Sequence, residues 1–314
     1  MTTTDRPALL KLTRKLLADS GFEISDDADT KNLSFDVMAK DRVHLLIIKA
    51  LGNVDGATIT NTNELKILAG FLKGVPLIVA ERSTKYGLER GVLYLRYGIT
   101  IMSYETLSDI LVEHTPPVAY SASGGFYVEL DGDKVRGARE TSEMSIGDLA
   151  RALGVSRKSV QMYESGRSAT IDIGLRLEEL FKAPLIIPLD PFAYDTKMQE
   201  VRNEMALLSP DEHDVFSHLQ SIGYDVTPTQ RCPFNAFTHM DTTVILTGVG
   251  DLNARVRARL KAIHRISDIS KKDALFISNK DSSGDSGIDI PVIKKERLKK
   301  IEDPGEIMDI VKGR

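Results

Sequence analysis

Met144–Gly166 reads MSIGDLARALGVSRKSVQMYESG, and its spacing predicts two short helices joined by a tight turn. Ser145 is placed to cap the first helix, with Asp148 at the third position completing a capping box. Leu149, Ala150 and Leu153 form the inner face, and Ala150 is small because the second helix must cross close to it. Gly154 permits the positive φ that the turn needs. Val155 fills the angle, Ser156 caps the second helix, and Val160 and Tyr163 turn inward. That leaves Arg157, Lys158, Ser159, Gln161 and Met162 on the exposed side or its borders. The pattern is that of a helix-turn-helix.

The exposed residues carry the donors that a DNA major groove accepts. Arg and Lys donate to guanine edges, and Gln bonds adenine through two hydrogen bonds. The first residues of a recognition helix reach furthest into the groove. Arg157, Lys158 and Gln161 are therefore the candidates for base reading, with Ser159 beside them. Ser145, Ser156 and the amides of both helix starts suit phosphate. Lys134, Arg136, Arg139 and Arg167 would add backbone contacts, each steepening the salt dependence of binding. DGDKVRGARE (131–140) predicts a preceding basic helix. TIDIGLRLEELF (170–181) predicts a following one with Ile173, Leu177, Leu180 and Phe181 on one face.

Over about Asp133–Phe181, including ALGVS and the YESG ending, the stretch resembles the XRE, or lambda-repressor-like, DNA-binding domains. The resemblance implies a small helical bundle that places its second motif helix in the major groove. One position departs: many members carry Gln after the capping serine and contact phosphate with it, whereas this chain has Ile146.

The chain has 314 residues and a formal net charge of −4, which suits several domains and confines any DNA contact to a local patch. Its one cysteine, Cys232, allows no internal disulfide and no multi-thiolate zinc site. MTTTDRPALLKLTRKLL has no long apolar run, and no segment approaches the ~20 apolar residues that span a bilayer. A cytoplasmic protein without a membrane partner is expected.

Around the motif lie two further blocks. In the first, Ala8–Ser20 is amphipathic, with Leu9, Leu10, Leu12, Leu16 and Leu17 at helical spacing and Gly21 as its stop. FEIS, LSFDVMA and VHLLIIKAL read as strands, Asn61–Lys73 as a helix with Leu65, Leu68, Phe71 and Leu72 inward, and VPLIVAE and YGITIM as buried strands. HTPPVAYSASGG (114–125) reads as a linker, FYVEL as a short strand, and 133–181 as wholly helical. A helical or irregular connector leads to about 208. Residues 209–314 then repeat the first block's order α-β-β-β-α-β: a Ser-Pro-capped helix over Ser209–Ile222 stopped by Gly223, then YDVTP, then FNAFTHMDTTVILTGVG aligned with FDVMAKDRVHLLIIKAL. An internal duplication is the reading. The expected domains are 1–120, 121–190 and 191–314: a central helix-turn-helix bundle, all-α, between two restriction-endonuclease-like α/β domains.

In element order and in FDVMAKDRVHLLIIKAL the first block resembles the PD-(D/E)xK nucleases. Their chemistry needs an acid on one strand, then an acid two residues before a lysine on the next, to hold a divalent metal and steady the attacking water. Asp36 and Lys49 occupy two of those places, but Ile47 holds the middle one and binds no metal. Glu64, on the following helix, is a candidate migrated acid. In the third block Asn235 and Gly248 replace Asp36 and Lys49. No catalytic residue, metal or cofactor is therefore expected, and the Asp36–Lys49 couple reads as a structural ion pair.

Across most of its length, and best at SFDVMAKD, GGFYVEL and the helix-turn-helix, the chain resembles an archaeal family of helix-turn-helix transcriptional regulators. That implies regulation. The expected protein is a regulator binding double-stranded DNA as a homodimer, its α/β domains serving dimerisation, a small-molecule effector or a transcription-machinery protein. The alternatives are a metal-dependent nuclease targeted by the helix-turn-helix, and a protein-binding adaptor. His213 and His218, five apart, read as solvated surface. Asn253–Ile266, with Arg255, Arg257, Arg259, Lys261 and Arg265, reads as a charged face, as does the cluster Lys294, Lys295, Lys299 and Lys300. NKDSSGDSG (279–287) reads as a loop without phosphate-cradle spacing.

Overall fold

The computed structural model describes residues 5–25, 33–83, 86–194, 208–251, 253–279 and 289–313, the side chains of 254 and 255 excepted. The first block runs α1 (Arg6–Asp19), β1 (Glu23–Ile24), β2 (Val37–Lys40), β3 (Leu45–Asn53), a 3-10 turn, α2 (Ile59–Leu72), β4 (Val75–Arg82), β5 (Val92–Arg96), β6 (Ile99–Met102) and α3 (Tyr104–Leu111). The middle runs β7 (Ala119–Ala122), β8 (Gly125–Leu130), α4 (Gly132–Thr141), α5 (Ile146–Leu153), α6 (Arg157–Glu164), β9 (Ala169–Thr170), α7 (Ile171–Phe181) and β10 (Ile186–Ile187). The last part runs α8 (Pro210–Ser221), β11 (Asp225–Pro228), β12 (Ala236–Met240), β13 (Thr243–Gly250), α9 (Ala254–Ser270), β14 (Asp273–Ser278), β15 (Val292–Lys294), α10 (Lys295–Leu298) and α11 (Pro304–Val311). The expected connector and the NKDSSGDSG loop fall largely outside the described residues. No described helix is long and apolar enough to cross a membrane.

The described chain divides into two compact units. One holds Met1–Leu16, Leu51–Ala57 and Ile78–Ala193; the other holds Leu17–Ala50, Thr58–Leu77 and Tyr194–Arg314. In the first unit, β5 pairs antiparallel with β6 and parallel with β7, and β7 forms a hairpin with β8. Strand β8 also carries β9 and β10, both antiparallel. The middle region is therefore not all-α, and 114–125 is not simply a linker. Its Ala-Tyr-Ser-Ala run, with Ala119 buried and Tyr120 half-buried, alternates well enough to pair with β8. One apolar cluster joins Val128 and Leu130 of β8 to Val135, Leu149, Leu153, Val160 and Leu177 of the four helices.

The second unit contains a five-stranded sheet ordered β11-β12-β13-β14-β15, antiparallel up to β13 and parallel beyond it. Two hairpins share their register. Val37 pairs with Ile48 and Met38 with Ile47 in one; Ala236 pairs with Thr247 and Phe237 with Leu246 in the other. The Asp36 amide donates to Ile48 O and the Asn235 amide to Thr247 O, each at 2.8 Å. Asp36 Oδ2 accepts from the Ala50 amide at 2.9 Å, and Asn235 Oδ1 from the Val249 amide at 2.8 Å. Both α2 and α9 end on a left-handed lysine, Lys73 and Lys271.

Within this unit α2 packs on β12: the Phe71 and Phe237 rings stack with centroids 4.4 Å apart, and His239 lies 5.2 Å from Phe71. Residues 230–232 bond both α2, at Asn61 and Glu64, and Ser34 ahead of β2. Ser34 donates its amide to Arg231 O at 2.9 Å, and Arg231 bonds Asn61.

Several side chains depart from the expectations. Leu12 is 42% exposed, and Thr13 takes the core position instead, its hydroxyl bonded to Leu9 O at 2.9 Å. A buried threonine is tolerated because the helix's own carbonyl satisfies it. His218 is no solvated histidine, since its Nε2 lies 3.0 Å from Ile301 O. Arg259 is half-buried and bonds Pro233 O and Asn235, while Lys295 bridges Asp211 and Asp214. Both supposed basic faces are thus partly spent on internal pairing.

Phe71→Ala and Phe237→Ala are each expected to cost ~3–5 kcal/mol of stability, as for large aromatic truncations. The double variant should cost about 1 kcal/mol less than the sum, because the ring pair is lost only once. Denaturant unfolding of the four proteins checks this, and strict additivity would refute a direct coupling.

Candidate nucleic-acid interface

The motif forms as its residues dictate. Ser145 Oγ accepts from the Asp148 amide at 3.1 Å, and Asp148 Oδ2 accepts from the Ser145 amide at 3.0 Å, closing the capping box. Gly154 ends α5 at φ 69°. Ser156 Oγ accepts from the Ser159 amide at 3.0 Å to cap α6. Val160 is buried and Tyr163 half-buried, as the period requires. Arg157, Lys158, Gln161 and Met162 are exposed, and so is Arg167 just beyond the helix.

A second layer fixes α6 in place. Glu164, at its end, is buried, and it was not singled out from the sequence. Arg139 on α4 donates through Nε to Glu164 Oε1 at 2.5 Å and through Nη2 to Oε2 at 3.2 Å; the two side chains are 11% and 7% exposed. The same guanidinium donates to Met144 O at 3.0 Å, just before α5. Arg136 Nη2 donates to Glu164 O at 3.1 Å. Gly132 lets α4 come this close: a Cβ there would lie 2.5 Å from the Gly166 nitrogen and 2.6 Å from Glu164 O. A sequence signal existed, namely an acid in YESG three residues after Gln161 with arginines at helical spacing in DGDKVRGARE.

This layer redistributes the expected contacts. Arg139 spends its donors on Glu164 and Met144 O, so it braces the helices rather than pointing outward. Arg136 is half-exposed but shares Glu164, and Lys134 pairs with Asp131 at 3.1 Å while staying 62% exposed. Ser145 Oγ donates to Asp148 Oδ2 at 2.6 Å, which places a carboxylate at the start of α5. Hydrogen bonds from Ser145 hold that carboxyl below its ordinary range, so it is charged at neutral pH. A carboxylate there disfavours phosphate, so Ser145 is a weaker candidate than Ser156. Ser159 Oγ is engaged with Ser156 Oγ at 2.9 Å. Arg157 lies across Gly147, where a Cβ would meet its guanidinium at 3.1 Å.

The nuclease-like residues are gathered differently. Lys49 Nζ lies 3.3 Å from Asp36 Oδ1 and donates to Leu33 O at 2.6 Å; both side chains are buried. The other Asp36 oxygen holds the Ala50 amide, and Ile47, fully buried, offers no ligand. Glu64 is buried under residues 230–232, accepting from the Gln230 amide at 3.3 Å with Cys232 Sγ 3.8 Å away. The donor set does not fit the divalent metal of the nucleases: one acid is missing, one is ion-paired and one is covered. Burial raises the Glu64 carboxyl above its ordinary range, against hydrogen bonds from Gln230 and Cys232 and the Arg231 charge. Burial likewise pushes the Cys232 thiol up and the Arg259 guanidinium down.

Comparison with known proteins gives matches over both parts. A family model described as a PD-(D/E)XK superfamily domain matches residues 6–117, and one described as a helix-turn-helix matches residues 135–186. A protein of Methanocella arvoryzae named "Putative HTH-type transcriptional regulatory protein" is 35% identical, over 98% of this chain and 97% of its own length. Proteins of the same name from Methanospirillum hungatei and Methanoculleus marisnigri are 33% and 35% identical; they cover 96% and 98% of this chain, and the alignments span 98% of each relative. No solved structure matches the chain.

Two outcomes follow from the buried charges. Glu164→Ala leaves Arg139 desolvated without its partner and is expected to cost about 3 kcal/mol, whereas Arg139→Met with Glu164→Leu should restore most of it. Thermal unfolding checks this, and equal loss in both proteins would contradict it. A carboxyl raised in the folded state stabilises fully at low pH, and that contribution is lost as pH rises through its folded value. Glu64→Gln should therefore raise the melting temperature at pH 8 relative to the parent, with the gain shrinking towards pH 5. A gain independent of pH would mean that Glu64 titrates normally.

Proposed function

The chain belongs to the family of these archaeal HTH-type proteins, and from that premise we propose that it is a sequence-specific DNA-binding regulator of transcription. The observation that carries the reading is the outward side of α6: Arg157, Lys158 and Gln161 exposed together on a helix whose other side is locked by Val160 and by Glu164 with Arg139. In the major groove these side chains supply donors to base edges. Ser156, Arg167 and Lys134 supply phosphate contacts, with a smaller part for Arg136.

Homodimers reading half-sites one helical turn apart suit a single helix-turn-helix in each chain. The domain reading is 1–120, 121–190 and 191–314, with the outer two descended from one duplicated nuclease-like block; the shared hairpin register and the equivalent carboxylate and amide roles of Asp36 and Asn235 support it. These outer blocks serve dimerisation, an effector or a transcription-machinery protein. The PD-(D/E)XK match favours a nuclease as the second reading. The Asp36–Lys49 pair, Ile47 and the covered Glu64 weigh against it.

Selection of bound fragments from genomic DNA, near physiological salt and with Mg, tests both readings. A short enriched motif in intact fragments is the expected result. Cutting that requires Asp36 would overturn it in favour of the nuclease. On the selected site Lys158→Ala and Gln161→Ala are each expected to cost ~1–3 kcal/mol and to relax preference at one base pair. Equal loss on every sequence would reassign them to phosphate.

A further inference from the structure

The sheet behind the helices has two unlike faces. Residues paired across neighbouring strands share a face. Val92, Ala119, Val128 and Ala169 therefore form a row on one side, and Leu93, Tyr120, Tyr127 and Thr170 a row on the other. The first row is buried in the core that holds α4 to α7. The second stays open: Leu93 and both tyrosines are half-buried, and Thr170 is exposed. On the same side lie Leu95 of β5, 72% exposed, and Ile187 of β10, 41% exposed and paired opposite Glu129. The Tyr120 and Tyr127 rings stack with centroids 6.1 Å apart.

Single apolar side chains in solvent are ordinary, but a contiguous apolar patch marks a contact surface. Among the described residues of β5, β7, β8 and β10, Glu129 is the one charged side chain on this face. A face with a carboxylate and no cation offers phosphate nothing, so it fits protein rather than nucleic acid. In the strand order β5-β7-β8-β10 it presents Leu95, Tyr120, Tyr127 and Ile187. That series, aliphatic outside and aromatic inside, reads the same from either edge. Such a surface is complementary to itself when turned about a two-fold axis lying between two facing sheets. The nuclease-like blocks offer less, because α2 lies on β12 and α9 on β2 within one chain.

We propose that this open face, with the tyrosine pair at its centre, docks a second copy of this chain. The choice of a second copy rests on the regulator reading above, since paired half-sites call for two chains. Strand β8 carries the helices on its other side, so docking here fixes the separation of two α6 helices.

Sedimentation equilibrium of the full chain gives the self-association constant. Leu95→Glu and Ile187→Glu should each raise the dimer Kd about a hundredfold, because a two-fold interface buries each introduced charge twice. Val43→Glu, at an 80% exposed site off this face, should leave it unchanged. All three sites are exposed, and far-UV circular dichroism matching the parent's would separate lost docking from lost folding. A monomeric parent, or a dimer that both face variants leave intact, overturns the proposal. So does a monomeric parent whose face binds a different protein. If the variants lose dimerisation while no DNA duplex is ever selected, the surface stands and the DNA-binding reading falls. If a selected duplex is bound by a parent that stays a single chain, the reverse holds.

Discussion

The buried ion pair of Arg139 with Glu164 is the constraint on which the candidate interface depends. Helix α6 is two turns long. A helix of that length does not persist in water on its own, because nucleation is costly and few hydrogen bonds follow it. Its N-terminus is held locally by Ser156. Its C-terminus is held from a distance, by a guanidinium that also grips the approach to α5 through Met144 O. One side chain therefore fixes the relation of α4, α5 and α6. The outward residues inherit their positions from it, and Gly132 supplies the clearance.

Behind the helices stands a β-scaffold rather than a fourth layer of helices. Strand β8 pairs with β7, β9 and β10, and thereby ties both ends of α7 to the sheet. Two-residue strands carry little signal of their own. Ala169–Thr170 reads as a helix approach in sequence because strand character there comes from β8, not from local propensity. The hairpin tip Ser-Gly-Gly dominates the reading of 114–125 in the same way, concealing the pairing of Ala119 with Val128.

What was legible in the sequence was local and periodic. Both serine caps, the left-handed Gly154, the buried Val160 and the order from α1 to β4 follow from spacing, whereas the sequence reading missed strand β5 and helix α3. Contacts far apart in the chain were not legible. Nothing near Glu64 announces that Gln230 and Cys232 cover it, and nothing near Arg259 announces Asn235. Thr13 in place of Leu12 shows the limit within one helix: five leucines define a broad stripe, and only packing decides its centre. The Asp36–Lys49 pair lies between these cases, since its two residues were identified by resemblance and its closure depends on two adjacent strands.

Charge sets the terms on which such a protein meets DNA. The chain carries a net −4, so its net charge gives phosphate no overall attraction. Of the cations expected at the interface, Arg139 is drawn inward by Glu164, and Arg136 shares that carboxylate while staying half-exposed. Each cation withdrawn from phosphate flattens the salt dependence of binding and removes affinity for arbitrary sequence. The base edges must then supply a larger share of the free energy. A rigid helix is the condition for that, because a hydrogen bond to a base tolerates little misplacement, whereas a screened charge tolerates much. On the reading proposed above, committing Arg139 to Glu164 trades nonspecific attraction for geometry.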